Sequence, residues 1–253
     1  MVKTIAEHNI VTREMRFGGN PNSLIKLLEK NKRDFLIRET PFLHSIIYDG
    51  KEITFTKKNN MFPSNLLWIF KSVRNEAEKH AIKVIQGEAI FQMPNKYPVN
   101  LTNNFYDDNI GTITGTDIKS AYWTIARNMG VISNELYVKA NKDEHKVVRL
   151  AALAILGRNM LYRKYSHGSK ETEPIIVEGE KILKDFYKAI RYTCYQHMDT
   201  LAKMLGNDFD AYRTDCIYYR DTEANRKLVY EYLDHYGFNY KQLVFEEENI
   251  KEK

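Results

Sequence analysis

The chain has 253 residues and a mass of 29.8 kDa, enough to bury a core without disulfide staples and to form one large domain or two modest ones. Lys plus Arg number 38 against 33 Asp plus Glu, a formal charge of +5 with a pI of about 8.9, which favours a polyanionic partner without requiring one. Cys194 and Cys216 make no CxxC or zinc-type cluster, no apolar run of about 18 residues is present to span a membrane, and residues 1–8 lack the apolar stretch of a secretory signal, so the expectation is a soluble protein of a cytoplasm, the host's if the chain is phage-encoded.

From the N-terminus, residues 23–30 behind Pro21-Asn22 read as a short amphipathic helix. Residues 42–48 and 52–56 read as a hairpin with Asp49-Gly50 as its tight turn. Residues 64–80 predict a helix and 82–91 a strand pair or edge strand. Pro and Asn clusters between Pro94 and Gly111 then interrupt the periodic pattern and place a boundary near residue 108. This gives an N-terminal α+β domain, 1–108, with no recognisable catalytic set, and a second domain, 109–253.

In the second domain, residues 112–118 read as a strand leading into a helix over 120–127. Further helices are expected over 142–165 and 178–205, the latter ending at Gly206-Asn207 as C-cap and turn. Residues 209–212 and 216–219 read as hairpin arms around Arg213-Thr214-Asp215. A helix over 224–236 is stopped by Gly237, and 240–245 supply a last strand. Many of the 17 tyrosines neighbour cations, as in Leu161-Tyr162-Arg163-Lys164-Tyr165. Such residues stack on bases while cations neutralise phosphates, or serve as half-buried packing residues whose hydroxyls reach water.

Asp117 and Asp215 each stand where an apolar segment meets a turn or helix. They are far apart in sequence and meet only if their strands are neighbours in one sheet. Like charges confined in a cleft repel, and Mg²⁺ or Mn²⁺, with a preference for oxygen ligands, offsets them most readily. Metal ions roughly 3.5–4 Å apart would acidify an attacking hydroxyl and stabilise departing pyrophosphate, and the Ile118 carbonyl is a further candidate ligand. The plainer reading is that strand-end aspartates cap the next helix or tie down a turn. Counter-charge is available along the following helix: Lys142, His145 and Arg149 share a face, with Lys146 on its edge. Val147, Val148, Ala151, Ala154 and Ile155 are expected to pack inward on the other side, leaving the cations for a triphosphate or for solvent.

These residues resemble the polymerase core of family B DNA polymerases, especially the smaller protein-primed phage and plasmid type. The first palm motif of that family, D-x-x-S-x-Y-P, is matched by Asp117-Ile118-Lys119-Ser120-Ala121-Tyr122-Trp123, with Trp123 in place of proline. The resemblance implies that Asp117 ligates metal, that Tyr122 stacks under the sugar and excludes a 2′-hydroxyl, and that the turn amides near Lys119, Ser120 and Ala121 touch triphosphate. The third motif, D-T-D-S between two hairpin strands, is matched by Arg213-Thr214-Asp215-Cys216. Asp215 keeps the second aspartate; Arg213 replaces the first and implies either a phosphate contact or loss of polymerisation. The second motif, K-x-x-x-N-x-x-Y-G, is matched on Gly157 only by Arg149, with Leu153 and Leu156 at the asparagine and tyrosine positions. Tyr240-Lys241-Gln242 stands for the K-x-Y region, where Lys241 would contact the primer strand.

The resemblance covers about residues 110–245. It implies an α+β fold in which an antiparallel palm-like sheet packs with helices, beside a small N-terminal α+β region and a rudimentary fingers element over about 142–165. The expected activity is metal-dependent nucleotidyl transfer from a dNTP to a primer 3′-hydroxyl by a minimal polymerase without a proofreading nuclease. Its partners would be nucleic acid, DNA first, and a replication chain supplying missing parts. Two readings of other classes stand beside it: a non-catalytic palm-derived nucleic-acid-binding or replication accessory protein, and a structural protein whose aspartates only cap local elements.

Overall fold

Strands of alternating burial and helices with one apolar face assemble into an α+β fold of two sheets. The computed structural model describes residues 15–17, 21–39, 43–56, 66–103, 112–173, 175–177 and 180–243. The first half contains β1 (Met15–Phe17), α1 (Pro21–Lys30), β2 (Phe35–Glu39), β3 (Leu43–Tyr48), β4 (Lys51–Thr56), α2 (Leu67–Ile85) and β5 (Asn100–Thr102). There follow β6 (Ile113–Lys119), α3 (Ala121–Asn128), α4 (Asn134–Ala140), α5 (Lys146–Leu156), β7 (Met160–Ser166), β8 (Ser169–Lys170) and β9 (Ile175–Val177). The chain continues through α6 (Lys181–Leu205), β10 (Phe209–Arg213), β11 (Cys216–Arg220), α7 (Glu223–His235) and β12 (Asn239–Leu243). Among the described residues no helix is long and apolar enough to cross a membrane.

The first sheet runs β1-β4-β3-β2-β7-β8, with β9 also paired to β7, and is antiparallel except for β1 beside β4. Its core is small: Phe35, Ile37, Ile46, Ile53, Phe55 and Tyr165 lie on one face under Leu28 of α1. The second sheet runs β12-β6-β11-β10-β5, antiparallel throughout. Helices back it through the main core, in which Trp123, Phe186, Tyr195, Tyr212 and Tyr219 are among the fully buried side chains. Trp123 ties α3 to α4 by donating its indole N–H to the Tyr137 carbonyl at 3.3 Å.

Two elements differ from the sequence reading. The helix expected over 142–165 stops at Leu156. The Tyr187 ring stands 2.4 Å from where a Gly157 Cβ would be, and the aromatic-rich Met160–Ser166 stretch suits a pleated strand better than a helix. It pairs with β2 in the first sheet, Phe35 opposite Tyr165. The strand expected over 82–91 is instead the end of α2 and its exit. Ala77 and Ala81 face the core at helical spacing while Ile82 and Ile85 point to solvent. As a result neither core is confined to one side of residue 108, which lies outside the described residues. α2, from the first half, packs in the main core, and β7–β9, from the second, complete the first sheet. The expected last strand is described as β12, to Leu243, and its two final residues also lie outside.

Candidate active site

Asp117 sits near the end of β6, with Cys216 of β11 opposite on one side and Lys241 of β12 on the other. Side chains alternate across a strand. Thr114, Thr116 and Ile118 are buried on the helix-backed face, where the Thr116 and Tyr219 hydroxyls meet at 2.8 Å. Gly115, Asp117, Cys216 and Lys241 share the other face. A side chain at Gly115 would crowd the Tyr218 ring and Leu243, both 3.2 Å from its Cβ position, so these two side chains pack closely over the strand because it is glycine there.

Asp215 lies in the two-residue turn joining β10 to β11, whose last pair is Arg213 opposite Cys216. This turn is held on several sides. Thr214 takes a left-handed φ of 56° and its amide donates to the Val99 carbonyl at 3.0 Å, while the Asp215 carbonyl accepts from the Ile118 amide at 2.9 Å. The Cys194 thiol donates to the Thr214 carbonyl at 3.6 Å. The register therefore brings Asp117 and Asp215 to one end of two neighbouring strands.

Burial and then the charge of Asp117 push the Asp215 carboxyl above its ordinary value, while Lys146 and Lys241 oppose this only in part. The ionised form of Asp215 is thus disfavoured first by burial and then by the like charge beside it. Lys241 is the nearest neutralising group, its Nζ 3.3 Å from Asp117 Oδ2. Burial, with Asp215 adding to it, also raises the Cys194 thiol; burial raises that of Cys216, so neither is built as a nucleophile.

The other sequence candidates divide. Lys119, Lys142, Lys146 and Arg213 are exposed, and Lys146, which opens α5, lies within the field of Asp215. Arg149 is buried. Its Nη1 donates to the Ala140 and Lys142 carbonyls, at 2.7 and 2.5 Å, and its Nη2 to Ser120 Oγ at 2.7 Å. The expected faces of α5 are therefore partly exchanged: His145 and Arg149 turn inward with Val148, and Val147 turns outward. The reason is that three acceptors from other segments converge on the two terminal nitrogens of Arg149, which offsets the burial of its charge, although the buried Nε has no hydrogen-bond partner. Through Ser120, held at a left-handed φ of 55°, Arg149 braces the turn between Asp117 and α3.

Tyr122 follows that turn, half-buried, its hydroxyl 3.1 Å from that of Tyr195. Burial first, then the bond to Tyr195, raises the Tyr122 phenol strongly. Tyr195 also accepts from Arg191 Nη2 at 3.3 Å, and the guanidinium lies 5.9 Å from both the Tyr187 and Tyr195 ring centroids. No carboxylate among the described residues pairs with Arg191. The sequence reading passed over this group, although Tyr187, Arg191 and Tyr195 repeat at one-turn spacing along α6.

Among the described residues no three His, Cys, Asp or Glu side chains are grouped to hold a metal ion; the acidic donors brought together are the pair Asp117 and Asp215. In comparisons with known proteins, no family model, curated protein or solved structure matched the chain.

Proposed function

We propose that the chain is a minimal family B-like nucleotidyltransferase, transferring a nucleotide from a dNTP to a primer 3′-hydroxyl. The observation that carries this reading is the register placing Asp117 opposite Cys216, one residue from Asp215, with the two carboxyls electrostatically opposed. Such a pair fits a divalent, oxygen-preferring cation, which relieves the repulsion that otherwise favours protonation of Asp215. Mg²⁺ or Mn²⁺ bound there, by Asp117, Asp215 and the Ile118 carbonyl, supplies Lewis acidity toward the α-phosphate and lowers the pKa of the acceptor hydroxyl.

The chain's own residues do the rest. Lys146, with Lys142, receives the β- and γ-phosphates, and Arg213 neutralises phosphate beside the Asp215 turn. The turn of Lys119 and Ser120, braced by Arg149, presents amides to the triphosphate. Tyr122, fixed through Tyr195 and Arg191, packs under the sugar. Lys241 positions the acceptor strand. The 3′-hydroxyl gives its proton to solvent, its oxygen bonds to the α-phosphorus, the bond to the bridging oxygen breaks, and pyrophosphate leaves with the negative charge. A cytoplasm suits this activity, since Cys194 and Cys216 are free thiols; a partner chain would supply the missing polymerase parts.

The test is incorporation of labelled dNTP on primed DNA with Mn²⁺. Extension lost in Asp117→Asn and in Asp215→Asn supports the assignment; extension unchanged in both sinks it. A second reading has its own observation, the Lys241 ammonium on Asp117. If that lysine permanently takes the cation's place, the chain is a palm-derived nucleic-acid-binding or accessory protein. It would then bind DNA in a salt-sensitive manner that survives chelation, and release no pyrophosphate.

A further inference from the structure

A second place in the molecule is shaped for a ligand, away from the carboxylates. A cleft of about 430 Å³ opens between α6 and the segment 90–98, which crosses the helix without regular structure. Its volume lies within the roughly 300–1,000 Å³ of small-ligand sites. One wall is apolar. Phe91, set by an edge contact with the buried Phe186 ring at 4.9 Å, stands there with Met129 at the end of α3.

Ile90, Met93 and Pro94 add further apolar lining, and the polar groups among the rest are uncharged. Gln92 and Asn95 on the crossing segment and Gln196 on α6 line the cleft, and their side chains hydrogen-bond to no described residue. An unpaired amide offers a donor and an acceptor side by side, the pattern that Asn and Gln use against the edge of a base. Phe91 and Met129 add flat and polarisable surface suited to stacking. No charged residue lines the cleft, so an anion would enter without a counter-charge. Exposed cations lie on the two elements that form it instead. Lys96 adjoins Asn95 and Lys188 lies two turns before Gln196; both are exposed, and neither pairs with a carboxylate among the described residues.

We propose that this cleft binds a nucleobase, its edge read by Gln92, Asn95 and Gln196 and its face against Phe91 and Met129. The base is either one nucleotide of a single strand, with Lys96 and Lys188 on the flanking phosphates, or that of a free nucleoside. The site is independent of the Asp117–Asp215 reading and holds whether that site is catalytic or not.

The probes are an oligothymidylate carrying one 2-aminopurine, and 2-aminopurine riboside alone, each titrated by fluorescence quenching without divalent metal. The expected result is saturable quenching that weakens at least 10-fold in Asn95→Leu/Gln196→Leu, two exposed positions, with the far-ultraviolet circular dichroism unchanged. Should that double variant fail to fold, Gln92→Leu, also exposed, gives the same reading. Binding of the riboside assigns the cleft to free nucleosides. Binding of the oligonucleotide alone, weakened by Lys96→Ala/Lys188→Ala, assigns it to a strand. Absence of saturable quenching with both probes, or quenching that the leucine variants leave unchanged, overturns the proposal. Because the assay contains no metal or dNTP, its failure is separate from failure of the polymerase reading.

Discussion

Each sheet carries charged residues on a central strand, and the two sheets treat them in opposite ways. In the first, Arg38 of β2 reaches across β3 to pair with Glu52 of β4, which is buried. In the second, Asp117 and Asp215 are like charges brought together, and the Asp215 carboxyl is raised by burial first and by the charge of Asp117 second. A matched pair satisfies itself, and its removal is felt in folding. A like-charged pair costs folding energy and makes sense where an external cation completes it. On the proposed function the first arrangement belongs to the architecture and the second to chemistry, a distinction that substitutions in each sheet can break.

The largest expected effect is on catalysis. Asp215→Asn or Asp117→Asn should lower nucleotide incorporation by at least about 10²–10³-fold, the scale for loss of a preorganised electrostatic group. Glu52→Gln should leave the rate per folded molecule unchanged. Steady-state extension on primed DNA, normalised to folded protein, checks both. Equal losses in the two sheets would erase the contrast.

Stability should run the other way. Glu52→Gln leaves the Arg38 charge without its carboxylate partner at a part-buried position and should cost about 1–3 kcal/mol in urea unfolding. Asp215→Asn should cost nothing at neutral pH. The folded-state carboxyl of Asp215 lies above its unfolded value of 3.8, so its protonated form is the one the fold favours. That contribution is full below the unfolded value and disappears as pH rises through the folded value. Metal-free wild type should therefore lose stability relative to Asp215→Asn as pH rises from about 4 toward neutrality. Mn²⁺ should restore it at neutral pH by about 2.7 kcal/mol at 100 times its Kd, in wild type alone. Thermal melts across pH, with and without Mn²⁺, read both signs; a gap that narrows with rising pH would refute the electrostatic account of Asp215.

How much of this was legible in the sequence depended on where each side chain finds its partners. The Asp49-Gly50 turn, the strand carrying Asp117 and the hairpin around Asp215 are local patterns, and the structure has all three. The α+β class and the long helix before the hairpin follow from the same periodicity. Arg149 was not readable in that way. Its three acceptors come from Ala140, Lys142 and Ser120, segments whose convergence no spacing along α5 encodes. The strand β7 was hidden because the Leu- and Ala-rich helix before it was read on through Gly157, although its tyrosines favour a strand and its pairing with β2 settles it. The seven-residue α4 spans fewer than two helical turns, too few for an apolar repeat to be read.

The smallest expected effect concerns Lys241, and it separates the two readings of the carboxylate site. Its ammonium is 3.3 Å from Asp117 Oδ2, with the lysine side chain 54% and the aspartate 26% exposed. A pair that open to water is worth at most about 1 kcal/mol, so it is a weak competitor for a divalent cation on the same carboxylate. Lys241→Gln removes the competitor and should tighten Mn²⁺ binding, measured calorimetrically without nucleotide, by about 2–5-fold, the most such a pair can supply. If Lys241 also holds the acceptor strand, the same variant should weaken primed DNA and lower the salt slope by about one counterion. Tighter metal with weaker DNA is the signature of a lysine that yields Asp117 to the metal and turns to the strand. Mn²⁺ affinity unchanged by Lys241→Gln would mean that the pair does not compete with metal at all, and the accessory-protein reading would lose the observation that favours it.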